Sequence, residues 1–206
     1  MKMNLPNKLT LLRLCLVPVF VVIMMVSSAV WASAVGLFLF IAASLTDMLD
    51  GKIARKYGLI TDFGKFMDPL ADKFMVIGAM FVILYRALTL YQDTLFANLF
   101  FWAFLIVIFR ELAVTSIRLV VSGSSGIVIA ANMLGKIKTV MQIVFISTVF
   151  IEPAIYSISA VKNALPTWWV EYPPLSYLTG GLTLLFTVWS GINYFIGMWK
   201  YLDPEK

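Results

Sequence analysis

Asp47, Asp50, Asp62, Asp68 and Asp72 are five of the chain's seven aspartates, and they lie within 26 residues. Asp47 and Asp50 are three apart, Asp68 and Asp72 four apart, so on helices each pair shares a face. Both pairs border strongly apolar stretches. Carboxylates beside a membrane span are costly, so such a cluster marks a functional site. The segment between them carries Gly58 and Gly64 and can fold the two helix ends together, bringing four carboxylates to one point. Converging carboxylates repel and raise one another's pKa, a conflict that divalent cations relieve. Ligands of oxygen alone suit Mg²⁺, Mn²⁺ or Ca²⁺ rather than zinc. Gly51 removes a side chain beside Asp50, Ala54 keeps the same helix face narrow, and Arg55 sets a cation beside the carboxylates, as a polyphosphate requires. Asp62 reads as a solvated loop residue or helix cap.

A second set of residues is cationic. Arg110 and Arg118 are eight residues apart, about 12 Å along a helix. Lys136 and Lys138 open the next apolar run, and Glu111 shares a face with Arg118. Four cations near one mouth suit a substrate bearing a phosphate monoester, which Arg binds well in bidentate fashion.

The elements that must position these groups are membrane spans. The chain has 206 residues, 61% hydrophobic and 13% charged, where a soluble domain has roughly 25% charged. No histidine is present, which excludes a His-liganded zinc site and a His general base, and the single Cys15 excludes an intrachain disulfide. Six apolar runs, near 9–30, 33–50, 66–88, 95–119, 134–155 and 176–200, each reach the roughly 20 residues a bilayer core needs. If both termini and the loops near 51–65 and 120–137 share one side, fourteen of the sixteen Lys and Arg lie there and only Arg86 and Lys162 opposite. That bias predicts cytoplasmic termini and a cytoplasmic aspartate cluster.

Lys2, Lys8 and Ala32-Ser33-Ala34 resemble a signal peptide with a cleavage site, but Arg13 interrupts the apolar run, so a span is expected instead. Residues 1–8 read as an interfacial lead-in, with Asn7 or Thr10 as a helix cap. Ser122–Gly126 reads as a flexible connection. The stretch 152–175, with four prolines, Trp168, Trp169 and Tyr172, reads as an external loop with an aromatic belt. No repeat or linker divides the chain, so residues 1–206 are expected to form one domain. The positive charge, +5, suits anionic lipid head groups or phosphorylated substrates; no nucleic-acid partner is expected.

The pattern Asp-x2-Asp-Gly-x2-Ala-Arg-x8-Gly-x3-Asp-x3-Asp is matched by Asp47, Asp50, Gly51, Ala54, Arg55, Gly64, Asp68 and Asp72. It resembles the signature of the CDP-alcohol phosphotransferases. The resemblance implies an all-α membrane fold of six transmembrane helices, usually a homodimer, that passes a phosphatidyl-type group from a CDP-linked lipid to an alcohol and releases CMP. It further implies that the four aspartates hold one or two Mg²⁺ or Mn²⁺ ions and that Asp72 is also the general base. Gly51, Ala54, Arg55 and Gly64 would line the nucleotide pocket.

Asn4-x-Pro6-Asn7-x-Leu9-Thr10-x2-Arg13, Arg110-Glu111 with Arg118, and Gly135-Lys136-Ile137-Lys138-Thr139 are similar to one subgroup, the bacterial phosphatidylglycerophosphate synthases. That similarity implies CDP-diacylglycerol as donor and sn-glycerol 3-phosphate as acceptor, at the bacterial cytoplasmic membrane. Arg110, Arg118, Lys136 and Lys138 become candidate acceptor-phosphate ligands, joined by Thr10 and Arg13. Phosphatidylglycerol or inositol phosphate as acceptor remains open within the family. Outside it, a small cation carrier with a carboxylate site remains open.

Overall fold

The computed structural model describes residues 4–27, 29–59, 61–89, 94–125 and 132–199. Eight helices and no strand occur among them: α1 (Leu5–Val26), α2 (Val30–Lys56), α3 (Asp62–Thr89), α4 (Thr94–Ser125), α5 (Met133–Tyr156), α6 (Ser159–Ala164), α7 (Thr167–Glu171) and α8 (Pro174–Trp199). Five stretches are long and apolar enough to cross a membrane: Leu5–Val26, Val30–Asp47, Thr94–Arg118, Met133–Tyr156 and Pro174–Trp199. This is an all-helical integral membrane protein. Helix α3 has the length but carries Asp68, Asp72, Lys73 and Arg86 along it.

Several boundaries differ from expectation, for one reason: a helix in lipid continues until its backbone can be satisfied otherwise. Helix α1 begins at Leu5, and its cap is Asn4 rather than Asn7 or Thr10; the Asn4 side chain accepts from the Asn7 amide. The expected loop at 51–65 shrinks to five residues, because nothing breaks α2 before Gly58. There the chain turns with φ +64°, and the Leu59 amide reaches back to the Ala54 carbonyl at 3.0 Å. That bond closes a Schellman motif, which favours glycine at its left-handed position. Ser122–Ser125 belong to α4 instead of forming a flexible connection, while Gly126 lies outside the described residues. The expected external loop at 152–175 is mostly helical, with Pro153 inside α5.

The chain forms two compact units. One comprises the residues up to Thr94 with Ile146–Pro173; the other comprises Leu95–Phe145 with the residues from Pro174 onward. In the first, α1 packs against both α2 and α3. A Cβ on Gly78 would stand 3.2 Å from Val17, so the glycine lets α3 approach α1 closely. Phe20 joins Phe40 and the edge of Phe150 with ring centroids 6.4 and 6.1 Å apart. At the far end of α3, buried Arg86 donates to the Ser33 hydroxyl (2.8 Å) and the Ser27 carbonyl (3.0 Å), tying down the α1–α2 turn.

In the second unit, α5 and α8 run antiparallel in close contact. A Cβ on Gly135 would meet the Tyr194 ring at 3.2 Å, Thr183 donates to the Met141 carbonyl at 3.0 Å, and a Cβ on Gly180 would meet the Phe145 ring at 3.0 Å. Small residues at each contact give backbone proximity without a hydrophobic drive between helices.

Candidate active site

The first unit builds its site on α1. Asn4, Asn7, Thr10 and Arg13 follow one another at intervals of three, so each neighbours the next along a ridge that winds round the helix. Asn4 donates to the Leu59 carbonyl at 2.8 Å, pinning the start of α1 to the α2–α3 turn. Thr61 then caps α3: its hydroxyl oxygen accepts from the Gly64 amide at 3.0 Å and donates to the Asn7 side-chain oxygen at 3.1 Å. Gly64 is buried beneath this arrangement. A Cβ there would stand 3.0 Å from Asn7 Oδ1, 3.3 Å from Thr61 Oγ1 and 3.7 Å from Asp68 Oδ2.

Two of the aspartates meet the same ridge. Thr10, fully buried, donates to Asp68 Oδ1 at 2.7 Å; the Pro6 carbonyl is a second, longer acceptor at 3.1 Å. Arg13, one turn on and only 1% exposed, forms an ion pair with Asp47, whose side chain stays 34% exposed. Asp47 on α2 and Asp68 on α3 are thus drawn to neighbouring points of α1, about 4.5 Å apart along its axis. Asp72 lies half-buried one turn beyond Asp68 and is itself partnered. Gly51 and Ala54 sit within α2, beyond Asp47. The side chains of Asp50, Arg55 and Asp62 lie outside the described residues. Among the described residues no three carboxylates gather as a metal cage.

Thr10 and Arg13 serve the aspartates in this arrangement. Their chemistry explains why. A carboxylate close to other carboxylates needs donors and cations around it, and a short hydroxyl bond plus a buried guanidinium provide both. Carboxylate oxygens are hard, anionic donors of the kind that divalent ions bind.

The second unit gathers the cations. Lys138 is buried and forms an ion pair with Glu111, which also receives Arg110 Nη1 at 3.5 Å, both through Oε1. Arg110 Nη2 donates to the Ser190 hydroxyl at 3.0 Å, and its guanidinium carbon lies 5.7 Å from the centre of the Tyr194 ring. Gly191 leaves room for the arginine stem, since a Cβ there would touch Arg110 Cγ at 3.0 Å. Tyr194 in turn accepts from the Asn132 amide at 2.6 Å, at the start of α5. Arg118 is half-buried and partnered; Lys136 is exposed. Lys138 and Arg110 are therefore brought to one carboxylate, while Lys136 stays at the surface.

The sequence model for CDP-alcohol phosphatidyltransferases matches residues 3–189, spanning the aspartate motif and the cation cluster. The chain belongs to the CDP-alcohol phosphatidyltransferase family. It is 39% identical over 214 residues to a Bacillus subtilis (strain 168) CDP-diacylglycerol–glycerol-3-phosphate 3-phosphatidyltransferase, covering 98% of this chain and 99% of the relative. A Salmonella paratyphi A protein of the same name is 32% identical over 200 residues, 94% of each chain. A probable phosphatidylglycerophosphate synthase of Mycobacterium tuberculosis is 38% identical over 152 residues, 73% of this chain and 66% of the relative.

As a CDP-alcohol phosphatidyltransferase the chain uses residues that the motif does not contain. Asn4, Asn7 and Thr61 lock the helix starts, and the local signal for the second of these starts is Thr61 three residues before Gly64. Glu111, Ser190 and Tyr194 hold the cations. A signal for the last two was available: Ser176, Thr183, Thr187, Ser190 and Tyr194 recur at spacings of seven, four, three and four on α8, and all are buried. A polar stripe of that period on an apolar span marks its protein-facing side.

Proposed function

We propose that this chain transfers the phosphatidyl group of CDP-diacylglycerol to sn-glycerol 3-phosphate, giving phosphatidylglycerophosphate and CMP in phospholipid biosynthesis. The observation that carries the reading is 39% and 32% identity, over nearly the full chain, to relatives named for this reaction, in a chain that keeps every position of the aspartate motif.

The donor half of the chemistry falls to the first unit. Asp47, Asp50, Asp68 and Asp72 would hold a divalent ion, Mg²⁺ or Mn²⁺, which would supply charge neutralisation at the diphosphate. The donor set fits, being all carboxylate, with Thr10 and Arg13 hydrogen-bonded to two of its members. Gly51, Ala54, Arg55 and Gly64 belong to the nucleotide side. Asp72 takes the proton of the acceptor's 1-hydroxyl. That oxygen bonds to the phosphorus bearing diacylglycerol, the bond from this phosphorus to the bridging oxygen breaks, and CMP leaves. Positioning and electrostatics carry most of such a transfer. Arg110, Arg118, Lys136 and Lys138 receive the acceptor's phosphate. Thr10 and Arg13 pass from the acceptor set to the donor set.

The same reading makes α3 a sixth span in one catalytic domain. Both termini and the site face the cytoplasm of a bacterial membrane, and the working form is a homodimer. Support for the orientation is the fourteen-to-two division of Lys and Arg.

Two variants test the roles. Asp72→Asn is expected to abolish turnover while the protein still melts like the parent; a near-normal rate removes Asp72 from the base role. Arg118→Ala is expected to raise KM for glycerol 3-phosphate far more than for the donor, and an unchanged acceptor KM removes Arg118 from the acceptor site.

A further inference from the structure

One turn along α5 from Lys138, on the same face, stands Gln142. It is 1% exposed, and neither its amide oxygen nor its amide nitrogen meets a hydrogen-bond partner among the described residues. On the facing helix α8, Thr187 is completely buried, and its hydroxyl likewise meets none among the described residues. The pairing of the two helices puts these residues in adjoining layers. Gly135 lies against Tyr194, Met141 against Thr183 and Phe145 against Gly180. Position 142 therefore falls opposite 180–183 of α8, and Thr187 lies about one turn further along, at the level of Lys138. Thr187 is in turn three residues from Ser190, which holds Arg110.

A buried polar group left unpaired costs about 1–3 kcal/mol. A leucine and a valine would fill the same space in a membrane helix without that penalty. Two such groups beside a cation cluster indicate a ligand that supplies the missing bonds. Its chemistry follows from the groups themselves. The glutamine amide offers an NH₂ that donates and a carbonyl oxygen that accepts, and the threonine hydroxyl both donates and accepts. That combination matches a neutral hydroxyl, which also donates and accepts. A phosphate, which only accepts, would leave the Gln142 amide oxygen unmet, and a cation, which only takes acceptors, would leave its amide nitrogen unmet.

The geometry points to Gln142, assisted by Thr187, as the reader of the acceptor's 2-hydroxyl. This rests on the acceptor reading above. With the phosphate at the Lys138–Arg110 layer, the middle carbon of glycerol 3-phosphate lies within one helical turn of it, about 5–6 Å. The flexible glutamine side chain spans that interval. Gln142 is then a specificity residue: it distinguishes an acceptor with a 2-hydroxyl from one without.

The test compares glycerol 3-phosphate with 3-hydroxypropyl phosphate, which keeps the phosphate and the reacting hydroxyl but lacks the 2-hydroxyl. CMP release by the purified full chain, with CDP-diacylglycerol and Mg²⁺, gives kcat/KM for each acceptor. A site that hydrogen-bonds a hydroxyl rejects the analogue lacking it strongly, so the wild type should prefer glycerol 3-phosphate by about a hundredfold or more. Gln142→Met keeps the length without the amide. It should lower kcat/KM for glycerol 3-phosphate by at least about tenfold and leave that for the analogue within about threefold, so the preference collapses. Thr187→Val should reduce the preference in the same direction, and it serves if Gln142→Met fails to fold.

A residue that only packs, or only holds a water, would lower both acceptors equally. An unchanged ratio in the folded variants therefore overturns the proposal, as does a wild type that uses the two acceptors alike. If the wild type uses neither, the acceptor reading itself has failed, and the specificity role falls with it.

Discussion

Replacing Thr10 by Val removes one hydroxyl from a closed position and changes little else, because the two side chains have nearly the same shape. Thr10 is fully buried, and its hydroxyl stands 2.7 Å from Asp68 Oδ1. A hydrogen bond to a charged group contributes about 1.5–3 kcal/mol. At about 1.4 kcal/mol per decade, that is roughly a 10- to 150-fold effect on whatever step needs Asp68 held in place. If Asp68 is a metal ligand, the loss should appear as a higher Mg²⁺ requirement. CMP release measured against Mg²⁺ concentration should show half-activation shifted upward by roughly that factor, with kcat largely recovered at saturating ion. Thr10→Ser keeps the hydroxyl and should stay within about threefold of the parent. The alternative is that Thr10 only bonds back to the Pro6 carbonyl at 3.1 Å, a local habit of threonine in helices. In that case Thr10→Val would show the parent's Mg²⁺ curve, and the reasoning that links α1 to the metal site would be refuted.

Two further predictions concern packing and charge. Gly64→Ala places a Cβ 3.0 Å from Asn7 Oδ1 and 3.3 Å from Thr61 Oγ1, both already hydrogen-bonded. It should destabilise the protein by about 1–3 kcal/mol and depress activity; a thermal melt in detergent that does not move would show the contact to be slack. Lys138→Met takes the buried ion-pair partner from Glu111, whose side chain is only 12% exposed and whose contact to Arg110 is longer, at 3.5 Å. A loss of about 3 kcal/mol is expected. Adding Glu111→Gln should restore the melt but not the acceptor KM, and a double variant as unstable as the single would sever the two residues.

The aspartate pairs were legible because their spacing is short and helical. Asp68 and Asp72 share a face whatever the rest of the chain does, and an apolar run extends from each pair. What α1 contributes was not legible. Thr10 and Asp68 are 58 residues apart, Arg13 and Asp47 are 34 apart, and no local pattern ties them together. The sequence offers Thr10 and Arg13 for the acceptor through the subgroup resemblance alone, and nothing local in it shows that they meet Asp68 and Asp47.

Glu111 was missed as a clamp for the same reason: its partner Lys138 is 27 residues away. Ser122–Ser125 looked like a connection because Ser and Gly favour turns in water. The helix α4 nevertheless runs on through Ser125. Gly58 is the converse case. Its left-handed turn is what lets α2 stop, and a glycine there was visible from the start.

The most direct measurement is CMP release by the purified protein in detergent, with CDP-diacylglycerol and Mg²⁺. The acceptors are glycerol 3-phosphate, phosphatidylglycerol, inositol phosphate, serine or none, each with and without EDTA. The account predicts release with glycerol 3-phosphate alone, abolished by EDTA. Release with a different acceptor, release that ignores EDTA, or no release from folded protein would contradict it.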